Sequence, residues 1–140
     1  MRLLVAIFLT VFLLSGCTSK DDFSYQLDKE ATLNARWKVG SILTYKRGPQ
    51  REELLVQFLG ITTQGYYLAQ DFYLGTGIDV KASEPYLITN IEDDSHTPDF
   101  KKIIGQYIAF YSNGTKYSEG QYKNGQKDGA WKYCILMEIR

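Results

Sequence analysis

The chain is poor in the residues that metal, redox and nucleic-acid chemistry most often draw on. Its 140 residues include one histidine, two cysteines and three prolines, and sixteen Lys and Arg balance sixteen Asp and Glu. A lone His96 has no second histidine or free cysteine at zinc spacing, which argues against a zinc site. The balanced charge lacks the basic excess of a nucleic-acid binder. No Gly-x-Ser-x-Gly elbow, phosphate loop, Cys-x-x-Cys pair or dinucleotide glycine fingerprint occurs, so the sequence offers no recognised catalytic or cofactor-binding frame. Against these absences stand eleven tyrosines, seven phenylalanines, two tryptophans and twelve glycines, with 44% of residues apolar. Aromatic side chains suit half-buried pleated surfaces and glycines suit turns, which predicts a mainly β domain able to bury a core.

Long apolar runs are confined to the first residues. Arg2 precedes the twelve-residue stretch Leu3–Leu14, well short of the roughly 20 residues a membrane-spanning helix needs. It ends in Leu14-Ser15-Gly16-Cys17, which resembles the lipobox of bacterial lipoprotein signal peptides. The resemblance implies a signal peptide over residues 1–16, cleavage before Cys17, and lipid attachment to the Cys17 thiol with acylation (palmitate) of the new amine. Two or more buried chains hold a protein firmly where one holds it marginally. The expected partner is the membrane itself, reached through that anchor, in the cell envelope and most plausibly at the outer membrane, facing periplasm or surface. An acylated Cys17 would leave Cys134 as the lone thiol, so no intramolecular disulfide is expected. Residues 17–22, with Thr18-Ser19-Lys20-Asp21-Asp22 behind the cysteine, read as a lipidated tether; the lysine and two acids also resemble a surface-export signal of Bacteroidetes-type lipoproteins.

Residues 23–140 then form a single β-rich domain. Phe23, Leu27 and Ala31 recur every four residues after a potential N-cap at Asp22, giving a short N-terminal helix over about 22–34. From there the period is that of strands: 37–45 up to the Arg47-Gly48-Pro49 turn, 52–59, 66–69, an aromatic 71–74, a short edge strand over 78–81, and 86–91. Residues 92–99 form an acidic loop. Asp93, Asp94 and Asp99 there lack the alternating ligands, glycine and distal glutamate of an EF-hand.

The most specific pattern is C-terminal. Strands over 103–111, 116–122 and 130–139 are separated by Ser112-Asn113-Gly114 and by the four-residue turn Lys123-Asn124-Gly125-Gln126. Tyr111-Ser112-Asn113-Gly114 and Tyr122-Lys123-Asn124-Gly125 repeat the form Tyr-x-Asn-Gly eleven residues apart, which points to stacked antiparallel hairpins in a meander. Residues 110–134 resemble the bacterial MORN-like repeat family, including proteins labelled YwqK-type antitoxin components. The matching positions are Tyr111, Asn113, Gly114, Gly120, Tyr122, Asn124, Gly125, Asp128, Gly129, Trp131 and Tyr133. The chain departs from the pattern after Tyr133, where Cys134-Ile135-Leu136-Met137-Glu138-Ile139-Arg140 replaces a further repeat.

The resemblance implies an interaction or scaffold module rather than an enzyme. The sequence therefore predicts a binding or structural lipoprotein that contacts a protein or an envelope polymer such as a glycan, without cofactor or metal. An aromatic strip of Tyr107, Tyr117, Tyr122 and Trp131 is the candidate interaction surface. For Trp131 and Tyr133 the favoured place is the buried side of the hairpins, as core packing. Two other functions compete: a small envelope hydrolase using His96 with the nearby acids, and an antitoxin-like inhibitor of a protein partner. Glu52 and Glu53 do not make a shared acid pair, because neighbours on a strand point to opposite faces. Open strand edges leave pairing with a second copy undecided at this level.

Overall fold

A computed structural model describes residues 24–48, 50–75, 80–89 and 102–135. The expected Asp22 cap, the whole 92–99 loop with His96, and the signal peptide and tether lie outside them. The described chain is one antiparallel meander, with strands β1 (Ile42–Arg47), β2 (Glu53–Ile61), β3 (Tyr67–Tyr73), β4 (Val80–Lys81), β5 (Tyr86–Ile88), β6 (Ile103–Phe110), β7 (Lys116–Lys123) and β8 (Gln126–Tyr133). They follow the order β1-β2-β3-β5-β6-β7-β8, and β4 pairs with β3 beside β5.

Alternation sets the buried face. In β2, Leu54, Val56 and Phe58 are buried between less buried neighbours, and the β2–β3 register places them opposite Tyr73, Asp71 and Ala69. Ala69 in turn faces Tyr86, and Tyr67 faces Ile88. Leu43, Val56, Phe58, Ala69, Tyr86, Ile88 and Ile103 form the main core cluster. Each of its large side chains contributes about 1.5–3 kcal/mol on burial.

The N-terminal arm closes one end of this core. The helix α1 covers only Lys29–Leu33, capped by Asp28 Oδ1, which accepts from the Ala31 N–H. It is shorter than expected, because Gln26, Leu27 and Asp28 pair with the end of β2 instead: Asp28 N–H donates to the Ile61 carbonyl and Leu27 bridges Thr62. Thr32 Oγ1 accepts from Ile61 N–H at 3.0 Å. Trp37 lies in no strand; its ring packs on Phe58 and Tyr67, at centroid separations of 6.3 and 6.0 Å. The expected pieces at 66–69 and 71–74 are one strand, β3.

The segment from Val80 to Ile88 runs between β3 and β6 but breaks in the middle. Both Ala82 and Ser83 turn their N–H groups to the Asp71 carbonyl, at 2.8 and 3.3 Å, while the Phe110 and Glu84 N–H groups tie the same stretch to β6. Pro85 has no N–H to give a ladder, which suits it to the break.

The two Tyr-x-Asn-Gly units fold into different turns. After β7, Asn124 and Gly125 both take positive φ, 52° and 76°, as a two-residue type I′ hairpin requires. Lys123 and Gln126 pair directly, so the turn is two residues rather than four and β8 begins at Gln126, earlier than the expected 130. After β6 only Gly114 is positive. There Asn113 uses its side chain, Oδ1 accepting from Thr115 N–H and Oγ1 at 3.0 and 2.6 Å, an Asx-type turn. Repeated sequence therefore does not mean repeated backbone.

Close packing of β7 on β8 fixes one glycine. A Cβ at Gly120 would lie 2.3 Å from the Trp131 ring, so the indole rests on bare backbone, and its Nε1–H donates to the Gln121 carbonyl at 3.1 Å. Gly120→Ala should cost about 1–3 kcal/mol of stability by overpacking and shift tryptophan emission as Trp131 is displaced. Denaturant titration followed by fluorescence reads both, and an alanine variant with unchanged stability and emission contradicts this packing.

Candidate functional site

Asp71 is fully buried in the middle of β3, where an unpaired carboxylate would be prohibitively costly. Its charge is met from three strands. Lys46 of β1 forms an ion pair with Oδ2. The Tyr86 hydroxyl of β5 donates to Oδ1 at 2.7 Å, and the Tyr107 hydroxyl of β6 donates to Oδ2 at 2.6 Å. Lys46 also donates to Tyr107 Oη at 3.2 Å, and its ammonium lies 5.3 Å from the centroids of both tyrosine rings. The backbone of Asp71 is satisfied as well, its N–H donating to Ser83 Oγ at 3.0 Å.

From this network an unbroken series of aromatic contacts crosses the sheet. Tyr86 meets Tyr107 at 5.1 Å, Tyr107 meets Tyr122 at 5.6 Å, and Tyr122 meets Trp131 at 5.0 Å, each nearly edge to face. Trp131 then contacts Tyr133, and Tyr133 contacts Tyr117, which packs on Tyr111. Such pairs add about 0.5–1.5 kcal/mol each beyond burial. The series runs from a wholly buried ring at Tyr86 to Tyr133, which is 51% exposed.

The exposed end opens into a cavity of about 220 Å³ between β1 and the β6–β8 meander. All four residues of the aromatic strip, Tyr107, Tyr117, Tyr122 and Trp131, line it, together with Tyr133 and the buried Ser118. Lys46, Arg47 and Lys127 supply its charge. Lys127 stands over the Trp131 and Tyr133 rings at 4.6 and 5.0 Å and donates to Tyr133 Oη. Trp131 is half-buried and Tyr133 is exposed, so simple core packing does not describe Tyr133. A second, wider hollow of about 480 Å³ is lined by Tyr45, Lys46, Arg47, Glu53 and Leu74.

The remaining candidates do not join this site. Glu53 is exposed on β2, while Glu52 precedes the strand with both carboxylate oxygens buried; the two share no site. His96, Asp93, Asp94 and Asp99 lie outside the described residues, as does Cys17. Among the described residues no three His, Cys, Asp or Glu side chains gather as a metal site, and no helix is long and apolar enough to cross a membrane. Cys134, just past β8, is disulfide-bonded, which departs from the expected lone thiol.

Sequence reasoning missed Lys46, Asp71, Tyr86 and Lys127. The available signal was parity: Asp71 sits two residues from Ala69 and Tyr73 on an apolar strand, a position that buries a carboxylate if that face is the core. Comparison with protein-family models, curated proteins and solved structures found no match to this chain.

Burial, followed by the Asp71 charge, holds the Tyr86 and Tyr107 hydroxyls well above the ordinary tyrosine value. Burial, with the Glu52 charge behind it, pushes Tyr73 up to about 12. Unfolded tyrosines release their protons near pH ~10, whereas these three keep them in the fold. Their contribution is therefore complete below about pH 10 and is lost as pH rises through the folded values. Urea titrations at stepped alkaline pH should show stability declining from there, with the tyrosinate absorbance of the buried rings appearing only on unfolding. Stability that stays level across that range contradicts the network.

Proposed function

We propose that this protein is an exported, lipid-anchored binding module of the bacterial cell envelope, whose cavity between β1 and β6–β8 receives a projecting group of an envelope polymer or protein. One observation carries the binding reading. The four aromatic residues of the strip converge with three cationic side chains on a single concavity, and concave aromatic surfaces with a few placed polar groups are the usual form of a binding site. The anchor rests on the lipobox-like Leu14-Ser15-Gly16-Cys17 and on its similarity to lipoprotein leaders. The MORN-like similarity of residues 110–134 fits the same class, since three hairpin-connected strands present the cavity wall. A stable disulfide at Cys134 and a lipoprotein leader both imply export to an oxidising compartment.

The test uses the full chain in its host. Globomycin should cause precursor to accumulate, and mass spectrometry of untreated protein should find diacylglyceryl and acyl groups on an N-terminal Cys17. A photo-crosslinking residue at Tyr133 should capture the same partner reproducibly in intact cells, and one at Leu33, on the exposed part of α1, should not. An unprocessed chain, or a cystine-linked Cys17 peptide in place of the lipidated one, overturns the anchor. Equal capture at both positions overturns the site.

A further inference from the structure

We propose that the cavity binds a carboxylated sugar ring of an acidic polysaccharide, through the exposed face of Tyr133 and the cations Lys127 and Arg47. This rests on the polymer-binding form of the reading above and names the ligand chemistry.

Size comes first. Sites that enclose a whole small molecule run to about 300–1,000 Å³, whereas this cavity holds about 220 Å³. That is room for one ring-sized group, with the remainder of the ligand outside, as with a residue of a chain. Charge comes second. Of the three cations, Lys46 is already neutralised by Asp71, and no carboxylate is among the lining side chains. Arg47 and Lys127 form no ion pair among the described residues, although Glu53 stands opposite Arg47 in the β1–β2 register, so the lining side chains carry a positive excess that favours an anion.

The placement of Lys127 gives the third argument. A surface lysine ordinarily loses considerable freedom on binding, but this ammonium is already held between two rings and a hydroxyl. That hydrogen bond to Tyr133 also raises its pKa, which keeps it cationic. Arg47 brings a planar fork matched to a carboxylate. The rings have distinct duties. One face of Trp131 is covered by Gly120 and Lys127 stands over the indole, so Trp131 is a support. Lys127 stands over Tyr133 as well, but that ring is the exposed one, and its uncovered area offers an apolar surface to the C–H face of a sugar beside the ammonium.

An extended peptide fits less well. Strand addition would use the edge of β8 or of β1; β8 carries Lys127 and Lys132 and is kinked by Gly129 at φ 70°, and β1 carries Lys46 and Arg47 and an irregular register between Ile42 and Thr44, features that blunt an edge against pairing.

Isothermal titration of the full-length chain at physiological salt, with three polymers, tests the proposal. Polygalacturonate should bind. Its fully methyl-esterified form, with the same rings and no charge, and polyphosphate, with charge and no rings, should each bind at least tenfold more weakly. Lys127→Gln and Arg47→Gln should each lower polygalacturonate affinity at least fivefold with unchanged circular dichroism, and Lys127→Arg should recover most of it. Equal binding of the esterified polymer overturns the role of charge yet leaves polymer binding standing. Equal binding of polyphosphate overturns the ring subsite. Failure to bind any of the three overturns the sugar proposal, and the partner captured at Tyr133 in cells then decides the wider reading separately.

Discussion

The structure depends on one buried charge. Asp71 lies where the segment between β3 and β6 breaks, and both its carboxylate oxygens are occupied by groups from β1, β5 and β6. A buried ion pair is not in itself a strong source of stability, because desolvation offsets the attraction, yet removing one partner typically costs about 3–5 kcal/mol. Its value here is geometric. Lys46 comes from β1 and Tyr107 from β6, each two strands from β3 in the sheet order, so satisfying Asp71 brings side chains of β1 and β6 together on one face.

That convergence lies at one wall of the cavity. Lys46 is simultaneously a partner of Asp71, a neighbour of two tyrosine rings, and part of the cavity lining. Beyond it the aromatic series transmits position strand by strand out to Tyr133, with Gly120 leaving space for the Trp131 indole. A site built on strands in this way is held by the packing of the domain rather than by a loop. The exposed cations Arg47 and Lys127 then sit on β1 and on the β6–β8 meander, tied together by the Lys46–Asp71–Tyr107 contacts between β1 and β6.

Much of the architecture was legible in the sequence because it depends on local rules. An apolar run between turn signals marked β2, period-two alternation marked β6, and Asn-Gly pairs marked the C-terminal turns, giving the mainly β meander. The type of each turn was not legible, since Asn113 and Asn124 share a motif while one uses its side chain and the other its own left-handed backbone. The helix was overread because Leu27 fits a helical spacing yet pairs with Thr62. The strip Tyr107, Tyr117, Tyr122 and Trp131 followed from the aromatic content of the C-terminal hairpins, since Tyr117 and Tyr122 differ in parity on one strand, and all four line the cavity. Lys46 and Asp71 did not, because a charged residue on a strand normally faces solvent and their contact spans strands that periodicity cannot bring together. Tyr133 stands out of the core because β8 is an edge strand with few residues above it.

A double-mutant cycle between Asp71→Asn and Tyr107→Phe, measured by urea denaturation, addresses the central interaction directly. If the buried carboxylate links β1 to β6 through Tyr107, the two changes should be non-additive, with a coupling of about 0.5–3 kcal/mol. Additivity within about 0.3 kcal/mol would mean that the two groups act independently, and the account of how β1 is tied to β6 would be contradicted.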